Sequence, residues 1–286
     1  MNQNVKNHIE QQQDCKILAS LPLGGGDISE VYKLQTTIGD LCVKINQLSN
    51  LPMLQAEKTA LQELGKIAEI TVPKPILCEA VHEHSFLLMT FVEKHASQIF
   101  TSEHGAQLAA LHTQENSRFG WESDNFIANL AQHNPWTDTW SEFYAVSRIE
   151  PQLKIALDHG RLNASQIPSI DIIAQRAANI FSDTRPKLTH GDLWSGNYFV
   201  AHDGRLCILD PAVSYSHPAI DIGMMKLFGN ISKQMKLGYE DNINEKFPDQ
   251  DAVALSQLYF LLVHLNLFGE SYKSSCIGIM KRYFLG

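Results

Sequence analysis

The stretch from Lys187 to Pro211, KLTHGDLWSGNYFVAHDGRLCILDP, constrains this chain most, because its polar residues fall at spacings that a hairpin would gather into a site. His190, Gly191 and Asp192 come first, and Asn197 follows Asp192 by five residues. Tyr198, Phe199 and Val200 are strand formers, Asp203-Gly204 reads as a type I′ turn pair, and Leu206 to Leu209 make the returning strand. With Asp203 and Gly204 as the two central turn residues, His202 faces Arg205 and Asn197 faces Asp210, with beta carbons roughly 5 Å apart. An amide and a carboxylate so placed would chelate a hard cation. Magnesium suits such a pair, since it takes oxygen ligands and keeps waters and phosphates among them. Asp192 is then left over as a base.

His-x-Asp-x-x-x-x-Asn is also the pattern of a phosphotransferase catalytic loop. HGDLWSGN, followed by ILDPAVSYSHPAIDIGM and LFG, resembles the fructosamine (ketosamine) kinase family, relatives of the aminoglycoside and choline kinases. The Trp-Ser-Gly insert and the Asp-Pro-Ala run carry the resemblance more than His-Gly-Asp does, and it extends from about Leu21 to the C-terminus. It implies an α+β, bilobal, protein-kinase-like fold. Residues 1–92 would form an antiparallel sheet with one key helix, and residues 93–286 a larger, mainly helical lobe, with nucleotide between them. It also implies ATP and Mg2+ as cofactors and a ketoamine acceptor, free or protein-bound, phosphorylated on its 3-hydroxyl as the first step of deglycation. Substrate contacts at His190 and Trp194 and a bracing role for Asp221, eleven residues beyond Asp210, belong to the same implication. Two rivals stay open: a kinase of the aminoglycoside or choline type, and an inactive nucleotide-binding module, against which the intact Lys44, Asp192, Asn197 and Asp210 speak.

The N-terminal third supplies what such a loop would need. Cys15 to Leu21 and Val31 to Leu34 read as strands on either side of Gly24, Gly25 and Gly26, and backbone amides approach phosphate closely only where no beta carbon intervenes. Asp27 stands where many family members have cysteine. Leu41 to Ile45 alternates as a half-buried strand, placing Lys44 opposite Leu41, Val43 and Ile45. In the helix expected over 52–66, Leu54, Leu61 and Leu64 form the apolar stripe and Glu57 lies on it. A glutamate there needs a cation, because an unpaired interior carboxylate is costly, and Lys44 is the natural partner. Such a pair positions alpha and beta phosphates in kinases. Val72 to Val81 and Phe86 to Val92 make a hairpin around the turn 82–85. The segment after its last strand corresponds to the kinase hinge, so Thr90, Phe91 and Val92 would meet adenine.

Beyond Glu93 the text becomes helical. Residues 98–113, 167–181 and 252–268 read as helices, the last a core helix because Gln257, His264 and Asn266 interrupt it. His112 reads as a helix-end histidine held by backbone. The segment 118–150 is dense in aromatic and amide side chains, which suits either a sugar pocket or a packed helical subdomain. A formal charge of −8 disfavours nucleic acid and anionic membrane as partners. Five scattered cysteines and a polar N-terminus suggest reduced thiols in a cytoplasmic protein. Oligomeric state is not written in these features.

Overall fold

The structure, a computed structural model, describes residues 1–24, 29–181, 185–243 and 247–285. It divides into two compact units. The first takes in residues 1–99, 128–130 and 196–211, and the second the remainder. The expected linear boundary after residue 92 thus lies inside the first unit, to which the chain returns twice.

The first unit is built on a five-stranded antiparallel sheet in the order β1-β2-β3-β5-β4. Its strands are β1 (Ile17–Pro22), β2 (Glu30–Thr36), β3 (Gly39–Gln47), β4 (Pro75–Val81) and β5 (His84–Thr90). Strand alternation sends Leu41, Val43 and Ile45 of β3 to one face, where they pack with Leu34, Phe86 and Leu88. Helix α1 (Gln3–Gln12) covers that face through Val5 and Ile9, one helical turn apart and fully buried. Asn2 caps it, its side chain accepting hydrogen bonds from the Asn4 and Val5 amides. The polar N-terminal text hides this helix, since only two of its residues face the core. Helix α2 (Leu51–Leu64) packs on β4 and β5, burying Leu54, Leu61 and Leu64. The β4–β5 turn is tighter than the expected 82–85: Val81 pairs with His84, and His82 takes φ +53°.

The second unit is mainly helical: α3 (Ser102–His112), α4 (Trp140–Glu142), α5 (Glu150–Asp158), α6 (Ile170–Ile180), α7 (Ala219–Leu227), α8 (Lys233–Asn242), α9 (Gln250–Phe268) and α10 (Lys273–Met280). A π-helical run, Phe143–Ile149, joins α4 to α5. Helix α9 is long and apolar enough to span a membrane, yet residues all round it are buried against neighbouring helices, the mark of a central core helix. Helices α3 and α8 touch backbone to backbone at Gly105 and Gly238. A beta carbon on Gly105 would lie 1.9 Å from the Met235 carbonyl oxygen, and one on Gly238 1.8 Å from that of Ser102.

Candidate active site

Two constellations form, one in each unit. In the first, Lys44 is 8% exposed at the middle of β3, on the face away from α1. Its ammonium donates to Glu57 Oε1 of α2 at 2.6 Å, the partnership expected from the buried glutamate, and also to Asp210 Oδ1. Burial alone would lower the Lys44 pKa; the carboxylates of Asp210 and Glu57 reverse this and hold it above the ordinary lysine value. Burial pushes the Glu57 carboxyl up, and the negative Asp210 adds to the rise while Lys44 opposes it. One ammonium therefore serves two carboxyl groups.

Asp210 reaches Lys44 by a route different from the cross-strand pairing expected for it. The strands Tyr198–Val200 and Leu206–Ile208 pair Val200 with Leu206 and Tyr198 with Ile208, one residue off the expected count. The connection has three residues, His202, Asp203 and Gly204, closed by the Gly204 amide on the Ala201 carbonyl at 2.8 Å and the Ala201 amide on the Arg205 carbonyl at 2.8 Å. A type I′ turn needs positive φ at both central residues; here Gly204 alone has it, at +82°, which gives the three-residue turn with a bulge. Asn197 consequently faces Leu209, whose amide donates to its carbonyl at 3.0 Å. Asp210 lies one step past the ladder with φ +58°, a left-handed conformation costly for a non-glycine residue. This local turn carries its half-exposed carboxylate to the lysine.

Around this cluster, Gly24 is exposed on the β1 side of the glycine stretch, and Gly25, Gly26 and Asp27 lie outside the described residues. At the other end of it Ser29 accepts a hydrogen bond from Asn46, two residues after Lys44, at 3.0 Å. Of the expected hinge, the Thr90 amide donates to the Lys74 carbonyl at 3.0 Å and the Phe91 amide to that of Asp40 at 3.3 Å. Val92 packs with Leu209 against the buried Phe199, Ala201 and Cys207.

In the second unit, the strands Lys187–Thr189 and Ser214–Ser216 pair antiparallel, and the first leads into His190-Gly191-Asp192. The fully buried Asp221 carboxylate of α7 accepts the His190 amide on Oδ2 at 2.7 Å and the Gly191 amide on Oδ1 at 2.8 Å. The Asp192 amide donates to His190 Nδ1 at 3.2 Å, and the His190 carbonyl accepts from Ala212 at 2.8 Å. Gly191 takes φ +83°, and a beta carbon there would meet the Ala212 carbonyl oxygen at 2.1 Å, so glycine is required. All three amides of the His-Gly-Asp turn are therefore fixed from within. His190, expected to touch substrate, is fully buried and its ring instead holds the loop; Trp194 remains 38% exposed.

Sequence reasoning missed what stands behind Asp221. His112 is not a backbone-held helix end: fully buried, it lies 3.1 Å by Nε2 from Asp221 Oδ2 and 2.8 Å by Nδ1 from the Tyr239 hydroxyl. Burial would raise the Asp221 pKa, but the hydrogen bond and charge of His112, with the loop amides, bring it below the ordinary aspartate value. The amides of the aromatic segment are likewise turned inward. Asn125 accepts from Gln132 and Asn134, each at 3.0 Å, and Asn134 accepts from Arg148 at 2.6 Å. Arg148, 3% exposed over the Phe143 ring, has its pKa lowered by burial to about 10. The packed-subdomain half of the expectation describes these amides. The half-buried Tyr215 and Trp136 rings, 6.3 Å apart, keep partial access to solvent.

Comparison with known proteins places the chain in a family. The fructosamine kinase family model matches residues 1–285. A Synechocystis protein named "Probable ketoamine kinase" is 33% identical across 98% of this chain and 96% of its own. A Thermobifida fusca protein whose crystal structure is named "putative fructosamine-3-kinase" superposes with a TM-score of 0.83 at 27% identity, covering 98% of each chain. An ADP-bound aminoglycoside phosphotransferase shares the fold alone, with a TM-score of 0.66 at 14% identity over 99% of this chain and 100% of that one.

Proposed function

The chain belongs to the fructosamine kinase family, a ketoamine phosphotransferase with a protein-kinase-like fold, and we propose that it uses ATP to phosphorylate the 3-hydroxyl of sugar-amine adducts. The observation that carries this reading is the Lys44 ammonium held between Glu57 and Asp210. Lys44 orients the alpha and beta phosphates, Glu57 keeps Lys44 in place, and the glycines Gly24, Gly25 and Gly26 cover the phosphates. Of the segment Thr90, Phe91 and Val92, the last offers the base an amide and an apolar neighbour, since the first two amides are engaged in the sheet.

Asn197 and Asp210 would hold Mg2+. Their oxygens suit a hard ion, and Asp210 is half-exposed and negatively charged, able to exchange its lysine partner for a metal. Bound there, the ion would neutralise charge on the transferred phosphoryl group. Asp192 accepts the proton of the acceptor hydroxyl while that oxygen bonds to the gamma phosphorus and the bridging bond to ADP breaks. Positioning and charge neutralisation account for most catalysis of this kind. Trp194 offers an exposed ring to the acceptor, and His190 acts on the loop instead. The proposed setting is the cytoplasm, with free or protein-bound ketoamines as substrates.

Organic chemistry supplies the consequence. In a ketoamine the nitrogen is on C1 and the carbonyl is C2, so enolisation toward C1 leaves the C3 oxygen allylic. Phosphate then departs with the C3–O electron pair, pushed by nitrogen, and water cleaves the resulting C1 imine to return the free amine. The test is to incubate a fructosyl-lysine peptide with enzyme and Mg-ATP while following peptide mass. A phosphate adduct should appear first and unmodified peptide later. A stable phosphopeptide, or no change of mass while an aminoglycoside is phosphorylated, overturns the assignment.

A further inference from the structure

Behind the loop that carries Asp192 stand three buried polar side chains from three helices: Asp221 of α7, His112 at the end of α3 and Tyr239 of α8. Their exposures are 0%, 0% and 2%. Each link has hydrogen-bond geometry, and the direction of donation follows from the carboxylate. An ionised Asp221 only accepts, so His112 Nε2 carries the proton that faces it, and Nδ1 on the far edge of the ring meets the Tyr239 hydroxyl. Both Asp221 oxygens already hold the His190 and Gly191 amides, so His112 supplies the third donor, on Oδ2. Asp221 stands on α7 between the buried Ile220 and Ile222, and without that donor its carboxylate would lie in a low-dielectric interior with one hydrogen bond fewer.

The helix packing supports a built relay. Tyr239 can reach His112 only because α8 lies against α3 at backbone contact, and that approach depends on glycine at both Gly105 and Gly238. Tyr239 directly follows Gly238, and His112 lies two turns along α3 from Gly105.

We propose that His112 is a positioning residue of the phosphotransfer reaction: it fixes the Asp221 carboxylate, which fixes the His190-Gly191-Asp192 backbone, while Tyr239 holds the His112 ring in place from its other nitrogen. The role rests on the assignment of Asp192 as base. A misplacement near 1 Å can cost about 10²-fold in rate, so a brace two residues removed from the base has leverage on turnover.

The test compares His112→Gln, His112→Leu and Tyr239→Phe. Gln can still donate to Asp221 from Nε2; Leu fills the space and donates nothing. In His112→Leu, kcat should fall about tenfold or more while KM for ATP stays within about twofold, because Lys44, Glu57 and Asp210 are untouched. His112→Gln should restore most of the loss, and Tyr239→Phe should lie between. Hydrogen exchange of the His190 and Gly191 amides reads the brace without any substrate. It should quicken about tenfold in His112→Leu and stay near wild type in His112→Gln, with α9 amides unchanged as the control for folding. Equal losses in the Gln and Leu variants, or unchanged exchange at His190 and Gly191 in a folded Leu variant, overturn the proposal. Should His112→Leu fail to fold, Tyr239→Phe decides alone: unchanged exchange at these two amides overturns it. If the wild type transfers no phosphate to any ketoamine, the functional assignment fails, and the exchange comparison still judges the brace.

Discussion

At the scale of single residues, the lysine–glutamate pair was legible because two short-range patterns intersect: strand alternation isolates Lys44, and the stripe of α2 isolates Glu57. The third member was not, since Asp210 arrives through a left-handed backbone that no periodicity announces. The three should respond as one unit. Lys44→Met leaves Glu57 buried beside Asp210 with no cation, so Glu57 takes up a proton and adding Glu57→Gln changes little more. A double-mutant cycle on KM for ATP should give a coupling of about 1–3 kcal/mol; strictly additive losses would mean the pair does no joint work. Asp210→Ala should weaken Mg-ATP far more than metal-free ATP, because the carboxylate acts on the nucleotide through the ion. Calorimetry with and without magnesium distinguishes the two, and equal affinities would remove Asp210 from metal binding.

At the scale of elements, the five strands and α2 followed from alternation and glycine punctuation, whereas α1 and the hairpin register did not. Two buried residues in ten are too thin a stripe to separate a helix from a polar tail. The register turned on one dihedral angle, for Asp-Gly serves a two-residue turn and a bulged three-residue turn equally well, and the sequence around it does not choose. Helix-to-helix contacts such as His112 with Tyr239 join residues far apart in the chain, with no local signal at all. Gly105 and Gly238 were silent for the same reason, yet they set how closely α3 and α8 approach. Gly238→Ala should therefore destabilise by about 1–3 kcal/mol, the usual cost of overpacking, although alanine is the better helix former. Urea denaturation would show it, and a variant as stable as wild type would mean the two helices can part freely.

At the scale of the whole molecule, net charge and cysteine usage described the outside, while acid sensitivity is decided inside. His217 is buried, its Nδ1 accepts the Ala219 amide at 3.0 Å, and its ring lies 5.1 Å from that of Phe181. Burial, with a smaller push from His112, lowers its pKa from 6.5 to about 3. Between those values the unfolded chain binds a proton at this position and the native protein does not, so the unfolded state gains as pH falls. Stability contributed here is complete above pH 6.5 and lost progressively toward pH 3. One such proton limits the slope to about 1.4 kcal/mol per pH unit, and His264, also lowered chiefly by burial, adds in the same direction. His217→Asn keeps an oxygen to accept the Ala219 amide but has nothing to titrate. Whatever its absolute stability, its unfolding free energy from urea titrations should fall less steeply with acid than that of wild type, by up to one proton's worth of slope across this window. Parallel curves would mean that His217 takes up its proton in the native fold as readily as in the unfolded chain.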